Sequence, residues 1–439
     1  MRRTLLRMVP AATLLLLGPA LWNGYPLVYA DTGTYLTSGF EAAIPADRPI
    51  AYGLFCRLFS GNGTGLWGVV VAQALLTATV LAHAWHQFVA RRWALFLVVL
   101  ALLSATTGLG WYTGRLLPDA FTPLAIVSTG LLLLTRMSAP WRMGHAALLT
   151  VACTMHLAHL VLVPATALIA MLLRCLLREG RPGITGPALV AAAVTSSVFL
   201  LALGGRIAGH GWSLSRGAPL VLLGRIVDAG ALPAALERHC LHHGWVLCDP
   251  PPPRDSRALL WGPDGAVVRA GGWDAYRPEA QAVTRVLLRD AAVRAALWRA
   301  AWRDGTAQLV RGGLDELAEP WYRKPISPPY RAIAQFLPHE LPAYRRARQH
   351  GAGTLDLRAL NAVHHAVIGI ALLLLAALLA RPCRDRSRVL LLYTSMAVAF
   401  AASSCAVLSI PDQRFLSRVS GLLPLAVAMA CAARSPHRT

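Results

Sequence analysis

The chain has 439 residues, 56% of them hydrophobic and only 14% charged, with a mean hydropathy of +0.50. Soluble domains carry roughly 25% charged residues, so this composition excludes an ordinary soluble domain and points to a polytopic membrane protein. The net charge of +21 is almost all arginine, Lys324 being the single lysine. Much of it clusters between apolar runs as the positive-inside rule requires, which argues against nucleic acid as a partner.

Arg2, Arg3 and Arg7 precede the apolar run Met8–Trp22. A signal peptide cleaved near Val28-Tyr29-Ala30 is one reading, and a retained signal-anchor helix is preferred because many spans follow. With those arginines cytoplasmic, residues 23–65 form a first outer loop. It is far richer than a plain turn, holding Asp31, Asp47, an Arg48-Pro49 pair and Tyr25, Tyr29, Tyr35 and Tyr52. Asp31 in ADTGTY can serve as a general base or help hold a metal ion, and Asp31 or Thr32 can at the same time cap a short helix through Tyr35. Asp47 and Arg48 read as an ion pair, with Pro49 starting the next helix.

A second span over 66–89 ends at Arg91-Arg92, and a third over 93–111 emerges at the stretch from Tyr112 to Asp119. That stretch sets the guanidinium of Arg115 near the carboxylate of Asp119, with Pro118 suited to a helix start. A fourth span, 120–135, returns to Arg136 and Arg142. Residues 145–173 are long for one span and short for two, with His156 and His159 in the middle and Arg174, Arg178 and Arg181 beyond. Two short helices meeting near the outer surface reconcile these facts, since irregular backbone at membrane depth is tolerated where it lines a cavity. The two histidines then serve as polar contacts to a substrate, as metal ligands at i, i+3, or as part of a kink.

The run 187–203 crosses outward to the large polar segment 204–358, in which 278–310 shows helical spacing. Cys240 and Cys248 sit close together in it; a disulfide is preferred over free thiols or a zinc site with His239, His242 or His243, because an exported segment is oxidising. Spans over 360–380, 389–410 and 416–433 follow, separated by the cluster Arg381, Arg384, Arg386 and Arg388 and by Pro411-Asp412-Gln413-Arg414-Phe415. Arg434 and Arg438 close the chain on the cytoplasmic side. The expected architecture is thus an all-α, polytopic membrane helix bundle of about ten spans, both termini cytoplasmic. A mostly helical extracytoplasmic domain, 204–358, is inserted between an N-terminal bundle, 1–203, and C-terminal membrane helices, 359–439. The topology gathers Asp31, Asp47, Arg48, Arg115, Asp119, His156, His159 and Arg414 at the outer ends of spans. Ionisable groups near membrane depth are costly and usually face a cavity or a partner.

This pattern resembles the GT-C superfamily of polytopic glycosyltransferases: an acid-bearing first outer loop (Asp31 in VYADTGTY), a second outer acid (Asp119), and an aromatic-linked arginine before the last helices (Arg414-Phe415). It is similar also to a group of uncharacterised bacterial membrane proteins. The resemblance implies an enzyme of the bacterial inner membrane that moves a sugar from a polyprenyl-phosphate donor to an acceptor on the extracytoplasmic face. It would make Asp31 and Asp119 the catalytic acids. Arg414, with Arg115, would neutralise the donor phosphate. Apart from the resemblance, Asp47, Arg48, His156 and His159, gathered at the same outer ends, are the candidate substrate contacts. Membrane lipids would be partners, and a divalent metal ion is the one cofactor left open. The chain departs from the family in having one acid where many members have adjacent acids, Arg-Phe for Arg-Tyr, and an outer domain between spans. Three rivals stand beside this reading: an O-antigen ligase or polymerase, a lipid or solute transporter, and a non-catalytic assembly protein. A transporter would show internal repeats and polar groups at the midplane, whereas here the polar groups gather at one face.

Overall fold

A computed structural model describes residues 2–177, 183–249, 252–350, 355–381 and 385–434. Arg178, Arg181, Arg384 and Arg438, of the arginine clusters expected on the cytoplasmic side, lie outside the described residues, and the side chain of Arg434 is not described. Every named element is helical. In chain order they are α1 (Arg2–Asn23), α2 (Ala30–Glu41), α3 (Ala51–Phe59), α4 (Trp67–Val89), α5 (Trp93–Thr106), α6 (Gly108–Thr113), α7 (Phe121–Leu134), α8 (Ala139–Met155), α9 (His159–Leu176), α10 (Thr185–Ile207) and α11 (Ala218–Asp228). Then come α12 (Leu232–His239), α13 (Ser256–Trp261), α14 (Ala266–Arg269), α15 (Trp273–Leu287), α16 (Ala291–Gln308), α17 (Pro328–Phe336), α18 (Leu341–Arg346), α19 (Arg358–Ala380), α20 (Asp385–Leu408), α21 (Arg414–Ser420) and α22 (Leu422–Arg434).

Six helical stretches among the described residues are long and apolar enough to cross a membrane: Trp67–Val89, His159–Leu176, Thr185–Ile207, Arg358–Ala380, Arg386–Leu408 and Arg414–Ala433. The stretches expected to be the third and fourth spans hold the shorter apolar helices Trp93–Thr106 and Pro118–Leu134. The third breaks where Thr107 turns extended and caps α6 with its side chain, which accepts from the Leu109 N–H. The 145–173 stretch breaks too: α8 stops at Met155, His156 is extended, and α9 starts at His159. β-strands are absent among the described residues, and one parallel bridge joins Leu27 to Arg115.

The large core runs through the apolar helices and is built on fully buried side chains such as Trp85, Phe96, Phe121 and Leu124. Buried side chains of α17 and α18, including Tyr330, Ile333 and Tyr344, join this same core. Glycines permit the approach: a Cβ at Gly33 would strike the backbone of Pro328 in α17, and one at Gly39 the carbonyl of Gly53 in α3. The polar segment therefore divides. Residues 220–293 form a core of their own around Leu223, Leu259, Tyr276 and Val283, whereas its later part lies on α2. Within the smaller core α11 and α12 bend by 107°, and a disulfide joins Cys240 to Cys248, with Cα atoms 5.7 Å apart. That bond leaves no thiolates for a zinc site at these positions.

Candidate functional site

The bridge between Leu27 and Arg115 organises the site. The Leu27 N–H donates to Gly114 O at 3.0 Å, and the Leu116 N–H donates to Leu27 O at 2.8 Å. This pairing sets Tyr29, at the start of α2, beside Arg115, whose guanidinium carbon lies 4.4 Å from the Tyr29 ring centroid. The Thr32 hydroxyl locks the joint, accepting from the Tyr29 N–H at 2.9 Å and donating to Leu116 O at 3.0 Å. Gln73 holds the other strand of the pair, donating to Thr113 O and Arg115 O at 2.8 and 2.9 Å.

Asp31 lies in the first turn of α2, one residue after Ala30, while Tyr29 occupies the N-cap position. Its carboxylate makes no described capping bond and instead reaches two guanidiniums. Arg48 Nη1 is 3.1 Å from Oδ1, and Arg414 Nη1 donates to Oδ2 at 3.4 Å across 383 positions of sequence. Arg48 also binds Asp47 at 2.6 Å, so the expected pair is present and extends to Asp31. Arg414 spreads further, standing 3.9 Å from both Asp119 and Asp412, with its guanidinium 4.6 Å from the Tyr29 ring centroid. Asp119, almost wholly buried, is bonded by Arg418. Arg115 binds Glu316 at 2.6 Å, and Tyr112 donates to the same oxygen at 2.9 Å. Asp31, Asp47, Asp119 and Asp412 thus meet Arg48, Arg414 and Arg418 in one network of ion pairs, and the Arg115–Glu316 pair joins it through the Tyr29 ring, which both Arg115 and Arg414 approach.

The two histidines differ. His159 has both ring nitrogens engaged, Nδ1 with Ala152 O at 2.7 Å and Nε2 with Thr122 at 3.0 Å, so it braces the α8–α9 break and has no nitrogen left for a substrate. His156 accepts the Ala158 N–H at 3.2 Å through Nδ1 and sits within electrostatic range of Asp119 and Arg418. Glu316 and Arg418 belong to the site although neither stood out in the sequence. Arg418 carried a usable signal, since RFLSR places it at i+4 from Arg414 on one helical face. Glu316 carried none: it is one acid among many in a long polar segment.

No family model, curated protein or solved structure matches this chain. Function must therefore be argued from the charges and cavities themselves.

Electrostatics separates the two accessible acids. Burial opposes the charge on Asp31, but Arg48 and then Arg414 outweigh it and hold the carboxyl below its ordinary value. At Glu316 burial prevails over the pull of Arg115, and the carboxyl is pushed up. A raised carboxyl in a cleft is the usual mark of a proton-transfer group. Glu316 Oε2 is buried without a hydrogen-bond partner, as are Nε and Nη2 of Arg115 and Nε of Arg414 and Arg418. Two openings reach the network. An open polar cleft of about 670 Å³ is lined by Tyr29, Glu316, Glu319, Tyr322 and Asp412. A mostly apolar cleft of about 320 Å³, with Leu54, Leu200 and Leu214 in its walls, has Arg48 among its lining residues. The residues do not suit a divalent metal: no group of three or more His, Cys, Asp or Glu side chains converges among the described residues, and both Asp31 and Asp119 are taken up by arginine.

Proposed function

We propose that the chain is an integral membrane glycosyltransferase that moves a sugar from a polyprenyl-phosphate donor to a hydroxyl acceptor at the extracytoplasmic face. The observation that carries this reading is the meeting of Asp31 with Arg414 in a network reached by one apolar and one polar cleft. The apolar cleft, which Arg48 helps to line, suits the lipid chain. The polar cleft suits the sugar and the acceptor. The network is already close to neutral, so an incoming phosphate needs donors that the acids do not occupy. The Nε of Arg418 and the Nε and Nη2 of Arg115, buried and without a hydrogen-bond partner, are such donors.

The step balances without a further reactant. The acceptor hydroxyl oxygen attacks the anomeric carbon and its proton passes to a carboxylate. The bond from that carbon to the phosphate oxygen breaks, and polyprenyl phosphate leaves with the electron pair. Stabilising that developing charge is usually the largest catalytic contribution. Glu316 suits the proton acceptor better than Asp31, since the residue lines the polar cleft, its Oε2 has no hydrogen-bond partner and its carboxyl is raised. Asp31 orients Arg48 and Arg414. About ten spans, with the network end outside, complete the reading; a ligase or polymerase would use the same chemistry on a polymeric acceptor.

The test is transfer of radiolabel from a panel of polyprenyl-phosphate sugars to a membrane fraction containing the protein. Label transferred by the wild type and lost in Arg414→Ala supports the proposal. No transfer above control membranes from any donor, with folded protein present, counts against it.

A further inference from the structure

We propose that α16 lies at the bilayer surface and anchors the polar segment there by placing Trp298 and Trp302 among anionic phospholipid headgroups. Helix α16 is apolar on two opposite faces. Val293, Ala296, Ala300, Asp304 and Gln308 are buried and face the protein. Ala291, Ala295, Trp298 and Trp302, at i, i+4, i+7 and i+11, form a second stripe that is entirely exposed. Trp298 and Trp302 are 79% and 78% exposed, which is unusual for the largest apolar side chain, and Leu309 and Val310 prolong the surface.

The inner face fixes the level of the helix. Val293 joins the smaller core, Asp304 binds Arg225 at 2.5 Å, and Ser403 of α20 donates to Gly305 O at 2.9 Å. Ser403 lies five residues before Leu408, where α20 ends, so Gly305 stands about 8 Å along the helix axis from that end. Because α20 contains one of the membrane-crossing stretches, α16 is held beside the last turns of a span, with its tryptophans turned away from the bundle. In the proposed placement this is the headgroup boundary. Tryptophan is favoured at that boundary, where its ring is apolar and its N–H reaches water. Arg294 and Arg299 are exposed on either side of the stripe, which matches an anionic rather than a zwitterionic surface.

The experiment places the full-length protein in vesicles of phosphatidylcholine and phosphatidylglycerol brominated near the headgroup, beside a Trp298→Phe/Trp302→Phe double variant. Phenylalanine keeps an apolar ring, and the folded state of the variant is checked by its elution in detergent. The expected result is that lipid bromines quench part of the wild-type tryptophan emission, that this part is smaller in the double variant, and that the difference between the two proteins shrinks several-fold when phosphatidylglycerol is omitted. Equal quenchable fractions in the two proteins would overturn the proposal. So would a lost component quenched by aqueous acrylamide but not by bromolipid, or a halving of oligomer mass in the double variant, which would mean that a second copy covers the stripe. A difference unchanged without phosphatidylglycerol would overturn the choice of an anionic partner.

Discussion

At the scale of single residues, the proposed function gives charge-holding to one acid and proton transfer to another. Asp31 sits between Arg48 and Arg414, so it stays ionised and is a weak base. Glu316 is pushed up by burial and keeps one oxygen free. Glu316→Gln should therefore lower transfer by about 10²–10⁴-fold, the usual contribution of a general base, and remove the rise of rate with pH on the acid side. Asp31→Asn should leave that rise in place while weakening donor binding; a pH–rate profile for each variant distinguishes the two roles. For stability the sign at Asp31 is that of a lowered carboxyl. Its contribution is present above the ordinary value of 3.8 and is lost as pH falls through the lower folded value. Arg414→Lys keeps the charge but loses the planar guanidinium whose Nη1 faces Asp31 and Asp119 while Nε faces Asp412. It should raise the apparent KM for donor roughly tenfold, about 1.4 kcal/mol, with protein abundance unchanged.

At the scale of elements, the site depends on how closely α2 meets its neighbours. In Gly39→Ala the new methyl would meet the Gly53 carbonyl, which is backbone and cannot swing aside. The expected cost is about 1–3 kcal/mol, read as a lower melting temperature in detergent, whereas Gly144→Ala, where a Cβ has open space, should change little. The disulfide is a more local device. Cys240 and Cys248 are 8 positions apart, so closing this short loop constrains the unfolded chain modestly. Cys240→Ser should open the smaller core to proteolysis without disturbing the apolar helices. Mass spectrometry of the non-reduced wild type should find the two thiols bonded, and finding both free would refute the pairing.

For the whole molecule, reporter fusions at about residue 40, at 280 and at 413 should report outside, and those at 92 and 140 inside, because arginine clusters set orientation. A cytoplasmic report at 280 would remove the network and the polar segment from the proposed compartment. Helix content was legible in the sequence, since apolar run length acts locally along the chain, whereas the break at Thr107 inside the expected third span was not. The all-helical fold and the break at His156 were read that way, and Asp31, Arg48, Asp119 and Arg414 were marked because ionisable groups are rare beside such runs. The partners of these groups depended on tertiary structure. Whether Asp31 capped a helix or met Arg414 turned on an approach between α2 and α21 that no local pattern encodes. Glu316 became part of the site only when the stretch after α16 folded against α6 and the Leu27–Arg115 bridge. Hydropathy along the chain reports what each segment needs from its solvent, and packing alone decides which charges face one another across hundreds of positions.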